Sequence, residues 1–221
     1  MGKVVLITGG SRGIGKSVAE KFISNGYKVL TPSRIEMNLE NNSSIESYCK
    51  RIDSDIDVIV NCAGVNTIAT LNDLTDVDLN SMIQIDLLAP LKIIQCMNGR
   101  MGNNRPGYIV NISSIWSFVA KEGRCGYSAA KTALNGITRT LALEYASKNI
   151  LVNSIAPGYV NTELTKQNNS ASEIAVIASL IPLKRLADPE EIANLVYFLS
   201  SDMNTYITGQ TIIIDGGYVC R

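Results

Sequence analysis

The sequence contains no histidine among its 221 residues. The side chain that most often accepts protons near neutral pH and binds metals is therefore missing. We predict neither a Ser-His-Asp site nor a zinc site, and the expected metal content is none. The five cysteines are scattered, odd in number and without a CxxC pair. That usage indicates reduced thiols rather than a disulfide framework.

Net charge and long apolar runs are also absent. Lys+Arg and Asp+Glu both total 20, so no strong field recruits nucleic acid or an anionic membrane. The apolar run in the first residues, MGKVVLITGG, is soon broken by glycine and polar residues, and no run approaches a membrane span. We expect a soluble, cytoplasmic protein whose partners are small molecules, with no nucleic-acid or membrane partner.

Short apolar runs of the buried-strand type alternate with segments of helical period along the chain. Strands are predicted at residues 3–8, 27–31, 57–61, 107–113, 149–155 and 210–214. Helices are predicted at residues 14–25, 43–52, 76–101, 126–148 and 188–200, with a more irregular one near 171–180. This alternation is typical of a parallel sheet covered on both faces. We predict one α/β domain over residues 1–221, a Rossmann-type doubly wound parallel sheet.

One connection is too short for that fold. A crossover between parallel strands needs a dozen or more residues. Only about five residues separate Thr31 from the next extended segment, MNLE, too few for such a crossover. We therefore predict that the crossover helix after the second strand is missing and that the third strand is vestigial.

A glycine-rich run, TGGSRGIG at residues 8–15, follows the first strand and opens the first helix. Glycines 9, 13 and 15 would let the backbone turn tightly and approach a pyrophosphate, which the helix N-terminus stabilises. The alternative is a plain strand-to-helix turn without a ligand.

These residues stand among further motifs that occur in order along nearly the whole chain. They are NCAG at 61–64, Ser114, the Tyr127-x-x-x-Lys131 pair, PGYVNT at 157–162 and the ending YITGQTIIIDGG. Together with the glycine run they resemble the short-chain dehydrogenase/reductase family. SRGIG, SIES and PLKRLADPEEIANLVYFLSSD are most similar to the 3-oxoacyl-[acyl-carrier-protein] reductases within it.

The resemblance implies a nicotinamide cofactor and its contacts. The implied cofactor residues are Gly9, Ser11, Arg12, Gly13, Ile14, Gly15, Ser33, Arg34, Asn38, Asn61, Ala63, Gly64, Tyr127, Lys131, Pro157, Gly158, Val160 and Thr162. Ser33 occupies the place of the acidic residue that holds a ribose hydroxyl, while Arg34 and Arg12 offer two guanidiniums to a 2′-phosphate. We therefore expect NADP(H). Glu36 reaching the ribose, or a surface role for Arg34, are the alternatives.

A tyrosine and a lysine four positions apart share one helix face. A nearby ammonium favours the phenolate, as does the positive ring of the oxidised cofactor, so Tyr127 is predicted to exchange the proton in place of the missing histidine. Ser114, at a strand end, is predicted to hydrogen-bond the substrate oxygen, and the resemblance implies that Lys131 also holds the nicotinamide ribose. The alternative is an ordinary pair on an amphipathic helix.

The family usually adds an asparagine on the preceding long helix, and Asp86 stands at that position. A backbone role would survive the replacement. A carboxylate paired directly with Lys131 would partly neutralise the ammonium and raise the pKa of Tyr127. A third possibility is that Asp86 faces solvent. We expect retained activity with an altered pH profile.

The predicted reaction is NADPH-dependent reduction of a ketone to a secondary alcohol. The substrate would be a 3-oxoacyl thioester or, alternatively, a sugar, a polyol or another biosynthetic ketone. Substrate contacts are predicted at Ser114, Tyr127 and Trp116, under a mobile lid between Thr162 and Pro182. A non-catalytic NADPH-binding regulator is the alternative of another class. The two long helices resemble the surfaces through which the family forms dimers and tetramers, so a homo-oligomer, for example a homotetramer, is expected.

Overall fold

Six parallel strands form one sheet in a computed structural model that describes residues 2–220. The strands are β1 (Val4–Ile7), β2 (Lys28–Leu30), β3 (Val58–Asn61), β4 (Gly107–Ile112), β5 (Ile150–Pro157) and β6 (Thr211–Ile214). Their spatial order is β2-β1-β3-β4-β5-β6, and every neighbouring pair is parallel. The order reverses beside β1, which is where α/β sheets open a ligand crevice at the carboxyl ends of their strands.

Helices cover both faces of the sheet. They are α1 (Gly13–Ser24), α2 (Asn42–Arg51), α3 (Asp76–Ile83), α4 (Ala89–Met97), α5 (Cys125–Tyr145), α6 (Glu163–Asn168), α7 (Ala171–Leu180) and α8 (Pro189–Leu199). Alternate residues of β1 enter the two apolar layers, Leu6 on the side of α2, α4 and α5 and Val5 on the side of α1 and α8. Burial on both faces explains why the strands are continuous apolar runs. The predicted doubly wound α/β fold is confirmed.

The connection after β2 lacks a helix, as predicted. Residues 31–41 form turns and extended segments, and the chain returns directly through α2. Met37 is buried in the apolar layer beneath the sheet edge and anchors this segment. Among residues 2–220 no strand pairs with the outer edge of β2, so the third strand, predicted to be vestigial, is not formed. The edge that remains is only the three residues Lys28–Leu30, and short edges resist unwanted pairing.

The helix predicted at residues 76–101 is divided into pieces. Between α3 and α4 the turn Gln84–Leu88 is a π-helix, and Asn98–Arg100 form a 3-10 turn after α4. A π turn inserts an extra residue and changes the direction in which side chains point. Asp86 lies in this turn and is fully buried. The irregularity therefore turns Asp86 inward, toward the carboxyl ends of the strands.

The segment between β5 and α8, predicted as a lid, contains α6 and α7. Thr162 caps α6 by accepting from the Thr165 amide, and Ser170 and Glu173 form a reciprocal cap on α7. α6 lines the crevice, and α7 lines a neighbouring cleft beside Trp116 and Tyr159. No helix among residues 2–220 combines the length and the apolar composition needed to cross a membrane.

Candidate active site

The glycine-rich run has a backbone shape that lets a ligand approach it closely. Gly9 and Gly13 have φ of +70° and +54°, the left-handed region that favours glycine. A Cβ on Gly15 would lie 2.1 Å from the carbonyl oxygen of Gly9. α1 begins at Gly13 with no side-chain N-cap and no acidic residue in its first turn. Its first amides are thus available to an anionic group such as a pyrophosphate, and this part of the chain fits a dinucleotide.

Thr8 joins the glycine run to the end of β3, a role that sequence reasoning missed. Its Oγ1 accepts hydrogen bonds from the amides of Cys62 and Ala63 at 3.0 and 3.1 Å. A Cβ on Gly9 would lie 2.9 Å from the Cα of Ala63. The two loops therefore touch and form one wall of the crevice.

Three adjoining clefts run from this wall toward Tyr127. Gly64 lines all three, and two of them also share Ile14 and Cys62. The predicted cofactor residues that line them are Gly9, Ser11, Arg12, Gly13, Ile14, Gly15, Ser33, Arg34, Asn38, Ala63, Gly64, Tyr127, Lys131, Pro157, Gly158, Val160 and Thr162. Asn61 lines none of them. Its side chain is buried and donates to Asn111 Oδ1 at 2.8 Å, so it supports the sheet beneath the crevice.

Charged side chains at the far end of the crevice pair with each other. Arg34 forms an ion pair with Glu40 at 2.5 Å, and its side chain is 78% exposed. Glu36 accepts from both the amide and the hydroxyl of Ser33 at 2.8 Å, which lowers the pKa of Glu36. Glu36 is thus held against Ser33. Arg34 pairs with Glu40, a residue that sequence reasoning did not single out.

Tyr127 and Lys131 lie on one face of α5, at the opposite end of the crevice. The Lys131 ammonium is 5.6 Å from the centre of the Tyr127 ring and donates to the carbonyl of Ile112 at 2.9 Å. Ser114, which follows β4, lines the same cleft, and its hydroxyl acts to lower the pKa of Tyr127. The predicted trio is brought together.

Asp86 pairs directly with Lys131. Its Oδ1 lies 3.1 Å from the Lys131 ammonium, and the two side chains are 0% and 5% exposed. Its Oδ2 accepts from the Val65 amide at 3.4 Å. A Cβ on Gly64 would lie 2.5 Å from Asp86 Oδ1, so glycine is required where the chain passes the pair. Of the three possibilities for Asp86, the geometry is that of direct pairing, and the solvent-facing one is wrong.

Burial is the largest single influence on the pKa of Tyr127, Asp86 and Lys131. Burial raises the pKa of Tyr127, Lys131 opposes that shift, and the Asp86 charge adds to it. Burial raises the pKa of Asp86 against the pull of Lys131. Burial lowers the pKa of Lys131, but Asp86 and Tyr127 outweigh it and the net direction is upward. In the protein alone, the expected lowering of the Tyr127 pKa by Lys131 is therefore outweighed, first by burial and then by the Asp86 charge.

Aromatic rings line the cleft beside Ser114 and Tyr127. Trp116 packs edge-on against Tyr159 with ring centres 6.0 Å apart, and Tyr218 completes the cluster. Trp116 is mostly buried yet lines the cleft with Ser114 and Tyr127. Tyr159 was not predicted as a separate contact, although it lies within the PGYVNT motif.

Comparisons with known proteins agree with this geometry. A family profile described as enoyl-(acyl carrier protein) reductase matches residues 31–219, and one described as short chain dehydrogenase matches residues 3–48. The chain is 33% identical to the 3-oxoacyl-[acyl-carrier-protein] reductase of Vibrio cholerae, over 98% of this chain and 97% of that protein.

Two solved structures are similar throughout. One is a 4-hydroxyisoleucine dehydrogenase mutant complexed with NADH and succinate, at 29% identity and a TM-score of 0.94, with 99% of each chain covered. The other, from Agrobacterium tumefaciens, is provisionally described as a 2-deoxy-D-gluconate 3-dehydrogenase with bound NADP; it has 28% identity and a TM-score of 0.91, covering 100% of this chain and 97% of that one. The chain belongs to the short-chain dehydrogenase/reductase family of oxidoreductases.

Proposed function

We propose that this chain is an NADP(H)-dependent reductase that converts a ketone to a secondary alcohol. The observation that carries the proposal is the meeting of Ser114, Tyr127 and Lys131 at one end of a crevice whose other end is the glycine-rich turn. The 3-oxoacyl-[acyl-carrier-protein] reductases among its relatives support the direction and the reaction class.

When bound, the cofactor supplies the hydride. Ser114 and Tyr127 would hold the substrate carbonyl oxygen by hydrogen bonds, and Tyr127 would donate its phenolic proton to that oxygen as negative charge develops. Lys131, held by the Ile112 carbonyl and by Asp86, would stabilise the resulting phenolate. Because Asp86 opposes that stabilisation, Tyr127 stays protonated to higher pH than lysine alone would allow.

The preference for NADP(H) is supported at the end of β2. A serine stands where an acidic residue would repel a 2′-phosphate, and Arg34 lines the cleft next to it. Arg12, in the glycine-rich run, lines the adjoining cleft. Two guanidiniums near one phosphate form strong charge-assisted hydrogen bonds. The contact of Glu36 with Ser33 occupies the carboxylate that would otherwise favour NADH.

Two substrate classes are candidates, together with one function without catalysis. The resemblance to acyl carrier protein reductases favours a 3-oxoacyl thioester, and the Agrobacterium structure favours a sugar-acid ketone. A regulator that binds NADPH without catalysis would need no aligned proton donor, so the intact Ser114, Tyr127 and Lys131 speak against it.

The experiment is NADPH oxidation measured across a panel of ketones with the wild-type protein and with Tyr127→Phe. We expect turnover with at least one ketone, and a loss in kcat of about 1,000-fold or more in the variant, which lacks only the hydroxyl. NADPH affinity serves as the folding control and should be unchanged. Tight NADPH binding without turnover of any ketone would favour the regulator, and wild-type turnover by Tyr127→Phe would refute the proton donor.

We also propose a homo-oligomer, a dimer or a tetramer. Apolar side chains are exposed on the two long helical segments, namely Val77 on α3, Leu88 in the π turn and Leu143 on α5. Exposed apolar groups on neighbouring surfaces are typical of subunit interfaces. Light scattering measures the mass directly, and a monomer at micromolar concentration would contradict this proposal.

A further inference from the structure

A buried arginine in the substrate cleft has no role in the reaction described so far. Arg124 occupies the N-cap position of α5 without a side-chain capping hydrogen bond, and it is only 8% exposed. Its Nε and Nη1 are buried and make no hydrogen bond to any residue of the described chain. The side chain lines the same cleft as Ser114 and Tyr127. Three positions before the proton donor, it is placed to contact the molecule to which Tyr127 would donate its proton.

The backbone holds Arg124 in the cleft. The preceding Gly123 has a φ of +75°, and a Cβ there would lie 3.2 Å from Ile68. The Gly123 carbonyl accepts from the Ala69 amide at 3.2 Å. This contact clamps the loop before α5 against the loop after β3, and the left-handed turn directs the next residue inward. The burial of the guanidinium is therefore a property of the fold.

No charge of the described residues neutralises Arg124. Asp86, the buried carboxylate nearest to the reaction, is paired with Lys131, and none of the ion pairs among residues 2–220 includes Arg124. Burial lowers the pKa of its guanidinium, while the hydroxyls of Tyr127 and Tyr159 act in the opposite sense. Arginine nonetheless remains charged in proteins. A buried charge without a partner is unfavourable, so an anionic ligand would be strongly favoured here.

We propose that Arg124 binds an oxyanion of the substrate, a carboxylate or a phosphate, and that the enzyme reduces ketones that carry such a group. The inference rests on the proposed ketone reduction for the identity of the ligand, but not for the anion site itself. It also separates the substrate candidates. The uncharged head of a 3-oxoacyl thioester would leave the guanidinium unpaired, whereas an oxo acid or a sugar acid would neutralise it.

Binding is measured separately from turnover through Trp116, the one tryptophan of the chain, which lines the cleft. Its fluorescence is titrated, with NADP⁺ bound, against pyruvate, 3-oxobutanoate and 4-oxopentanoate and against their methyl esters. Glycerone phosphate and glycerone form a second pair that distinguishes phosphate from carboxylate. We expect at least one anion to bind about 10-fold or more tightly than its neutral counterpart.

Three variants test whether Arg124 causes the preference for the anion. Arg124→Met should abolish it, Arg124→Lys should restore part of it, and Arg139→Met, an exposed arginine on the same helix, should leave it unchanged. NADP⁺ affinity reports folding of each variant. Equal binding of every anion and its neutral counterpart, or an anion preference that survives in Arg124→Met, would overturn the proposal.

The same pairs are then compared in NADPH oxidation by kcat/KM. Preference for the anion in both assays confirms the site and the reaction together. Anion binding that depends on Arg124, without turnover of any ketone, would refute the ketone reduction and leave the anion site standing. Turnover of ketones with no preference for the anion would refute the anion site and leave the ketone reduction standing.

Discussion

Two ion pairs stand at opposite ends of the crevice and differ in nearly every physical respect. Lys131 and Asp86 are almost fully buried and are fixed by a helix, a π turn and a strand end. Arg34 is largely exposed and meets Glu40 on a segment without helix or strand. Buried charges interact strongly, and removing one partner of a buried pair lowers the stability of the protein considerably. Exposed pairs are screened by water and salt. We propose that the chemistry depends on the rigid end and that the choice of cofactor depends on the adaptable end.

The largest expected effect comes from removing one member of the buried pair. Lys131→Met leaves the Asp86 carboxylate buried without its partner, and we expect the free energy of unfolding to fall by about 3–5 kcal/mol. Chemical denaturation measures it. Lys3→Met is the matched control, since Lys3 pairs with Asp202 at the surface and should cost less than about 1 kcal/mol.

A second variant keeps this prediction decisive if Lys131→Met does not fold. Adding Asp86→Leu removes the unpaired carboxylate, so the double variant should recover much of the lost stability. Equal losses of unfolding free energy in Lys131→Met and Lys3→Met would show that the buried pair contributes no more to stability than the exposed one.

A smaller effect is expected at the exposed end. Arg34→Gln removes one of two guanidiniums available to the 2′-phosphate, and NADPH affinity should fall about 5-fold, the size expected for one exposed charge contact. NADH affinity should not change, because NADH lacks that phosphate. The comparison is made by equilibrium titration of both cofactors, and an equal loss for the two would place Arg34 outside the phosphate site.

The smallest expected effect is a gain. Glu40→Gln frees Arg34 from its carboxylate partner, so NADPH should bind about 2- to 5-fold more tightly while stability changes by less than about 1 kcal/mol. The gain should shrink as salt is added, because exposed charges are screened. An unchanged NADPH affinity at low salt would mean that Glu40 does not compete for Arg34.

The sequence predicted most of what depends on local pattern. The strand positions, the missing helix after β2 and the residues of the glycine-rich turn follow from periodicity and spacing, and Tyr127 with Lys131 follows from the helical repeat. The π turn could not be predicted, because apolar positions of period 3.6 do not reveal one inserted residue. The direct pairing of Asp86 with Lys131 depends on that turn.

Arg124 shows the same limit at the substrate side. In the sequence, Arg124 stands next to glycines and charged residues, a composition typical of a surface loop. In the structure, the left-handed turn at Gly123 buries it. The pairing of Arg34 with Glu40 depends likewise on how residues 31–41 fold without a strand. Contacts between distant segments determine which of these charged side chains are buried and which partners they have. A local sequence pattern does not encode such contacts.

We propose that Asp86 acts on Tyr127 through Lys131, as a positioning residue that keeps the proton donor protonated. The measurement is the pH dependence of kcat/KM for ketone reduction in the wild-type protein and in Asp86→Asn. Reduction requires protonated Tyr127, so its rate falls above the pKa of that group.

Removing the Asp86 charge should lower the pKa of Tyr127, since that charge raises it. The fall in rate should therefore begin at a lower pH in Asp86→Asn than in the wild-type protein. NADPH affinity checks that the variant is folded. An alkaline limb that stays in place, or that moves to higher pH, would contradict the account.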